Sequence, residues 1–298
     1  MELQPNRIRV VRELPPNALA YLKYISALLL FGSNGIVAQH ICLPSWEIVF
    51  WRTLIGSLFL TAVFFAAHRK IAFAQQKRDC LFISLSGAAM GTSWLFLYEA
   101  YSQIGVGAAS LLYYCGPVIV MALSPLMFQE RLTRTRAAGF AAVLAGITLV
   151  NESFGETLNV FGLFCGLMSA VMYALMVLLN RKSESIKGLE NAALQLMISF
   201  LTVALFTGLK TGFQMSLPEG SLAWIGVLGL VNTGTGCYLY FSSIGDLSVQ
   251  TVATLGYTEP LSAVVLAALV LGENMPLSRI AGAALIIGGS IFCESQKN

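Results

Sequence analysis

Ten stretches of apolar residues, each close to the length a helix needs to cross a bilayer, follow one another along this sequence. They leave the chain little choice of solvent. No water reaches the backbone inside hydrocarbon, so a crossing segment must satisfy its own N–H and C=O groups as a helix or in a closed barrel. A helix needs about 20 residues for this and a barrel strand roughly 10 alternating ones. The apolar runs have the helical length. Charged residues make up only 11% of the 298 and apolar residues 56%, whereas a soluble domain carries about 25% charged residues. A chain so short of charge cannot cover a water-facing surface. The expected class is an all-α membrane protein.

The runs fall at 19–41, 47–67, 81–103, 106–128, 136–150, 160–180, 191–209, 222–244, 249–271 and 277–293. Residues 1–18 precede them as a segment carrying Arg7, Arg9 and Arg12, and 295–298 form a short tail. The first run is too long for a signal-peptide core and no A-x-A site follows it, so the segment is expected to be retained. With the first residue inside, fifteen of the 18 Lys and Arg residues fall on the inner side; Lys210 and Arg279 fall outside and Arg52 lies within the second run. Basic residues gather on the cytoplasmic side of membrane proteins. Both termini are therefore expected in the cytoplasm, which requires an even number of crossings. Lys23, Tyr21 and Tyr24 near the start of the first run suit a snorkelling and interfacial role.

An offset of 143 residues superposes the two halves. Tyr114 falls on Tyr257, Pro117 on Pro260, Glu130 on Glu273, Gly139 on Gly282, Gly146 on Gly289 and Glu47 on Glu190. The segment YYCGPVIVMALSPLMFQERLT aligns with GYTEPLSAVVLAALVLGENMP without a gap. A constant offset across several runs indicates duplication, with one unit over 19–151 and the other over 157–294. Each unit holds five crossings, an odd number, so the second must enter from the opposite face. Copies of opposite orientation enclose a midplane site that opens to either side by rocking.

The two P-x12-E blocks, Pro117 with Glu130 and Pro260 with Glu273, each precede a glycine-rich run. Together with LPSWEIVFWRTLIG in the second run and GAASLLYYCGPV entering the fourth, they resemble the EamA-type drug/metabolite transporter superfamily. The resemblance spans nearly the whole chain. It implies ten transmembrane helices as a 5+5 inverted repeat around a central cavity, lined by runs one, three, four, six, eight and nine. It also implies a small organic substrate drawn from amino acids, sugars, nucleotide conjugates or quaternary amines, often exported, and a bacterial inner-membrane location.

Ionisable groups inside crossings are costly and mark function by default. Arg52, Glu99 and Glu259 are the three that stand out. Glu99 suits a cation or proton site; the alternatives are a helix-end residue near the headgroups or an ion pair with Arg52. A proton-coupled step is compatible with either acid. Glu259 precedes Pro260 within the ninth run, where a proline kink frees a carbonyl toward a cavity; it suits a substrate ligand or a structural carboxyl. Arg52 is expected to stabilise packing or an internal pair, with substrate binding as the alternative. Glu130 and Glu273 begin loops on opposite sides and are assigned structural or gating roles, capping the next helix or pairing with a local base such as Arg134 or Arg279. Pro117 and Pro260 join them as structural positions.

Asn34, Trp94, Tyr98, Tyr113, Tyr114, Tyr173, Asn232, Tyr238 and Tyr257 are the polar and aromatic candidates for contact with substrate, through ring faces that attract cations or stack on organic groups. Each has the plainer alternative of packing between helices. The six cysteines are scattered without a CxxC pair, and most lie inside apolar runs as expected of buried apolar thiols. Gly87-x3-Gly91, Gly162-x3-Gly166 and Ala284-x3-Gly288 permit close helix approach. No G-x4-GK[ST] nucleotide motif, HExxH or serine–histidine constellation occurs. No cofactor, nucleic-acid partner or metal site is expected, and the oligomeric state is left open. The expectation is a secondary transporter, most plausibly an amino-acid or metabolite exporter. A carrier of cationic compounds using Glu99 and Glu259 is the alternative, a membrane enzyme the remote one, and a scaffold or receptor a third.

Overall fold

The computed structural model describes residues 18–67, 77–116, 159–183, 185–186, 188–215, 220–243, 247, 255–256 and 258–295, with scattered positions between 119 and 149. Among these residues all regular structure is helical. A first helix, α1 (Ala18–Gly32), breaks at Ser33 and resumes as α2 (Asn34–Gln39). Then follow α3 (Ser45–Ala66), α4 (Lys77–Ile104) and α5 (Val106–Tyr113). The second half contains α6 (Val160–Arg181), α7 (Gly188–Thr211), α8 (Ser221–Gly226), a π-helical segment (Val227–Thr235) and α9 (Gly236–Ser243). It ends with α10 (Thr258–Val270) and α11 (Leu277–Ser295).

Among the described residues, six stretches are long and apolar enough to cross a membrane: Ala18–Gln39, Ser45–Ala66, Lys77–Ile104, Val160–Arg181, Gly188–Thr211 and Ser221–Tyr240. Thr258–Val270 and Leu277–Gly289 are shorter apolar helices. Large apolar side chains such as Leu209 (80% exposed) and Leu277 (81%) cover the outside, a surface suited to lipid rather than water. The protein is a multi-pass membrane protein. The expected runs 106–128 and 136–150 are described only in part, so the described residues do not count out ten crossings.

Helices approach closely where side chains vanish. A Cβ on Gly87 would lie 2.9 Å from the Gln195 carbonyl oxygen, and one on Gly91 would lie 2.8 Å from that of Ser199. These glycines let α4 lie against α7, and the contact is sealed by Ser199 Oγ donating to the Gly87 carbonyl at 2.7 Å. On another face α4 runs antiparallel to α6. Ser86 donates to the Met176 carbonyl and Ser93 to that of Ser169, both at 2.8 Å. The α6 start is set by Asn159, whose side chain accepts from the Gly162 N–H at 2.8 Å. The third small-residue spacing departs from expectation: Gly288 has nothing within 4 Å of its Cβ position. Its neighbour Gly289 makes the contact instead. Gly91→Val should therefore cost about 1–3 kcal/mol through overpacking, while Gly288→Ala leaves thermal unfolding in detergent nearly unchanged.

Gly289 also reveals how the copies meet. Its Cβ would lie 2.9 Å from the Gly139 carbonyl oxygen, and that of Gly146 would lie 2.7 Å from the Gly282 carbonyl oxygen. Gly139 and Gly282 are duplicates of each other, as are Gly146 and Gly289. Residue 139 thus sits opposite 289 and residue 146 opposite 282, so this helix and its own copy cross antiparallel. Such reciprocal contacts are what a two-fold axis produces.

Candidate functional site

Glu259 lies in the first turn of α10, and Pro260 follows it in the same turn. Leu255 and Gly256, shortly ahead of Glu259, are helical as well. Gly32 explains how α1 reaches this turn, because a Cβ there would lie 2.8 Å from the Glu259 carbonyl oxygen. The Glu259 carboxyl is hydrogen-bonded to the hydroxyl of Tyr114, from the first half of the chain. Tyr24, Tyr101, Tyr113 and Tyr240 also stand within its electrostatic reach. The rings stack among themselves, with centroids 5.4 Å apart for Tyr24–Tyr240, 5.5 Å for Tyr113–Tyr114 and 5.2 Å for Tyr113–Tyr173. Phenols of α1, α4, α5 and α9 thus lie in the field of a single carboxyl, which is hydrogen-bonded to Tyr114.

Arg52 supplies the opposite charge. It is 2% exposed, and its field acts on Glu259. Its Nε donates to Thr233 Oγ1 at 3.0 Å, its Nη1 donates to the Tyr98 hydroxyl, and its guanidinium lies 4.4 Å from the Trp94 ring centre. Thr233 belongs to the π-helical segment and its hydroxyl donates a hydrogen bond to the Leu228 carbonyl five residues back, at 2.8 Å. The wider π turn brings that acceptor within reach, and π turns recur at functional sites. Asn232, its neighbour, donates to the Leu30 carbonyl at 2.8 Å and to Ser33 Oγ at 2.9 Å, binding the π segment to the break between α1 and α2. Asn34, one residue beyond that break, is buried with its Oδ1 unpartnered.

Glu99 occupies a different place. Its carboxylate accepts from Ser45 Oγ and, at 2.9 Å, from Gln103 Nε2. Gln103 in turn accepts from Asn159 Nδ2 at 3.1 Å. This seam joins the start of α3, the end of α4 and the start of α6, and the Glu99 partners are uncharged residues rather than Arg52. Tyr238 is half exposed on the outer face of α9. Tyr240 joins the cluster instead, and Tyr24, expected at the interface, is 2% exposed against it. Tyr24, Tyr101 and Tyr240 were not among the candidates. One signal could have found Tyr240: Asn232, Gly236 and Tyr240 recur every four residues, and they meet Leu30, Phe31 and Tyr24 of α1 in turn. Tyr257, Pro117 and Glu130 lie outside the described residues. Glu273 is held at 3.9 Å from Arg279, as one expectation had it, but it caps α5 rather than the next helix.

The EamA-like transporter family matches this sequence twice, over residues 18–152 and again over 160–293. The chain belongs to the EamA-like transporter family. Among the relatives of this EamA-like transporter is YxxF of Bacillus subtilis, named an uncharacterized transporter, 26% identical over 83% of this chain and 80% of the relative. The pseudopaline exporter CntI of Pseudomonas aeruginosa is 29% identical over 47% of this chain and 49% of its own. One solved crystal structure superposes with a TM-score of 0.66 over 93% of this chain and 97% of the other, at 19% identity, which establishes a shared fold. The protein is thus a membrane-embedded transporter of a small molecule. A carboxyl faced by aromatic rings is suited to an ammonium group, held by charge and by the ring quadrupoles. Tyr114→Phe removes one hydrogen bond to that carboxyl, worth about 1 kcal/mol, and should lower the unfolding temperature in detergent by a few degrees.

Proposed function

We propose that this chain is a secondary transporter of a small ammonium-bearing metabolite, an amino acid or a close relative, working by alternating access as an exporter in a bacterial cytoplasmic membrane. The observation that carries the proposal is Glu259 hydrogen-bonded to Tyr114 of the other half, with further tyrosines within the reach of its charge. Arg52, held by Thr233, Tyr98 and Trp94, acts on the site through its field rather than by contact, and a positive field there favours a zwitterion over a simple cation. The fold is a ten-helix 5+5 inverted repeat with both termini cytoplasmic. The antiparallel crossing of the Gly139 helix with α11 supports it, since copies related by an axis along the membrane normal would run parallel. Export is in keeping with the exporter among its relatives.

Cationic compounds form the second case, favoured by the tyrosines alone. Purified protein in liposomes, assayed for counterflow of labelled amino acids, quaternary amines and sugars, separates the two. Counterflow of a zwitterion supports the proposal. Counterflow of quaternary amines alone assigns the second case, and counterflow of sugars alone contradicts both.

A further inference from the structure

Glu273 belongs to the loop after α10, yet its carboxylate is spent on the other half of the chain. Oε1 accepts from the Val106 N–H at 2.5 Å and Oε2 from the Gly107 N–H at 3.0 Å. These are first-turn donors of α5, which a helix leaves without internal partners. A helix commonly meets them with the residue just ahead of it. Here that residue is Gly105, at φ +83, with no side chain to offer. Gly105 and Gly107 also clear the approach, since a Cβ on either would lie 2.9 Å from a Glu273 carboxylate oxygen. The start of α5 is therefore shaped to receive a carboxylate from a distant loop.

We infer that Glu273 is a gating residue, a latch that holds the second repeat onto the first at this end and releases in each transport cycle. The inference rests on the alternating-access proposal above. The loop carries a second partner for the released charge: Arg279 lies 3.9 Å from Oε2 and is itself held by donating to the Asn274 carbonyl at 2.8 Å. Glu273 can leave the α5 amides without being stranded, which gives the contact two stable settings. The latch lies at the end of the fold where α4 stops and α5 starts, apart from Glu259 in the first turn of α10. It therefore controls access and not affinity. Its duplicate Glu130 lies outside the described residues, and the inference is confined to Glu273.

Two experiments on the full chain in liposomes test this. The first places Gly107→Cys and Glu273→Cys in a cysteine-free background and bridges them with a short reducible bis-thiol reagent. Bridging should lower counterflow at least about tenfold, the rate returning on reduction, with substrate affinity kept within about twofold. Undiminished counterflow in the bridged protein overturns the latch. The second needs no background mutations and follows hydrogen exchange at the Val106 and Gly107 amides. In the wild type, exchange should quicken about tenfold during turnover, and Glu273→Gln should quicken it without substrate. A fixed structural cap predicts the same exchange with and without turnover, and that result also overturns the latch. Failure of the underlying proposal shows itself elsewhere, as unmodified wild-type protein that gives no counterflow of any of the labelled compounds.

Discussion

Glu259→Gln should lower substrate affinity about a hundredfold while leaving the protein folded. Glutamine keeps the shape of the side chain and can still meet the Tyr114 hydroxyl, so the packing of the first turn of α10 survives. What it loses is the negative charge. A charge-assisted hydrogen bond contributes about 1.5–3 kcal/mol, and every 1.4 kcal/mol is about tenfold in affinity. The remaining attraction would come from ring faces alone, about 0.5–2 kcal/mol. Calorimetric titration of the variant against the transported compound measures the loss. Thermal unfolding within a few degrees of wild type would show that the effect belongs to the site. An affinity unchanged in Glu259→Gln would remove the carboxyl from substrate recognition.

Arg52→Ala should act on stability, by about 2–4 kcal/mol. The side chain ties three elements at one point: α3, which carries it, α4 through Tyr98 and Trp94, and the π-helical segment through Thr233. Truncation leaves a cavity where the largest fully buried side chain of the described residues had been, and it removes the partner of a buried phenol. Lysine does not restore the arrangement. One ammonium cannot span Thr233 and Tyr98 while lying flat against Trp94, which the planar guanidinium does. The check is the unfolding temperature of Arg52→Ala and Arg52→Lys in detergent. Both should fall well below wild type, with Arg52→Lys between the two. A stable Arg52→Ala that has lost only affinity would move Arg52 from packing to direct substrate contact.

The class and the duplication were legible in the sequence because both are periodic. Apolar length fixes the solvent, and a constant offset brings Gly139 onto Gly282 and Gly146 onto Gly289, the residues that meet across the reciprocal crossing. The candidate site was legible only in part because it does not repeat. Tyr24, Tyr101 and Tyr240 align with Leu167, Ile244 and Leu97, so comparison of the halves could not select them. Composition placed Tyr24 at the interface, but contact with Tyr240 buries it. Glu99 and Glu259 looked alike as acids within apolar runs. Their partners separate them: Ser45 and Gln103 absorb one charge at a helix end, and the Tyr114 hydroxyl from the other half meets the second carboxyl. The π turn that seats Thr233 under Arg52 had no sequence signal beyond the glycines around it.

Side-specific labelling of one residue tests the account most directly. Thr258→Cys, in a cysteine-free background, puts a thiol beside Glu259 in the first turn of α10. A membrane-impermeant thiol reagent is then applied from either face of reconstituted vesicles, with and without substrate. A site shared between inverted halves should be reached from both faces, slowed by bound substrate, and favoured on one face when the protein is held in one state. Labelling from one face only, under every condition, would contradict alternating access through Glu259.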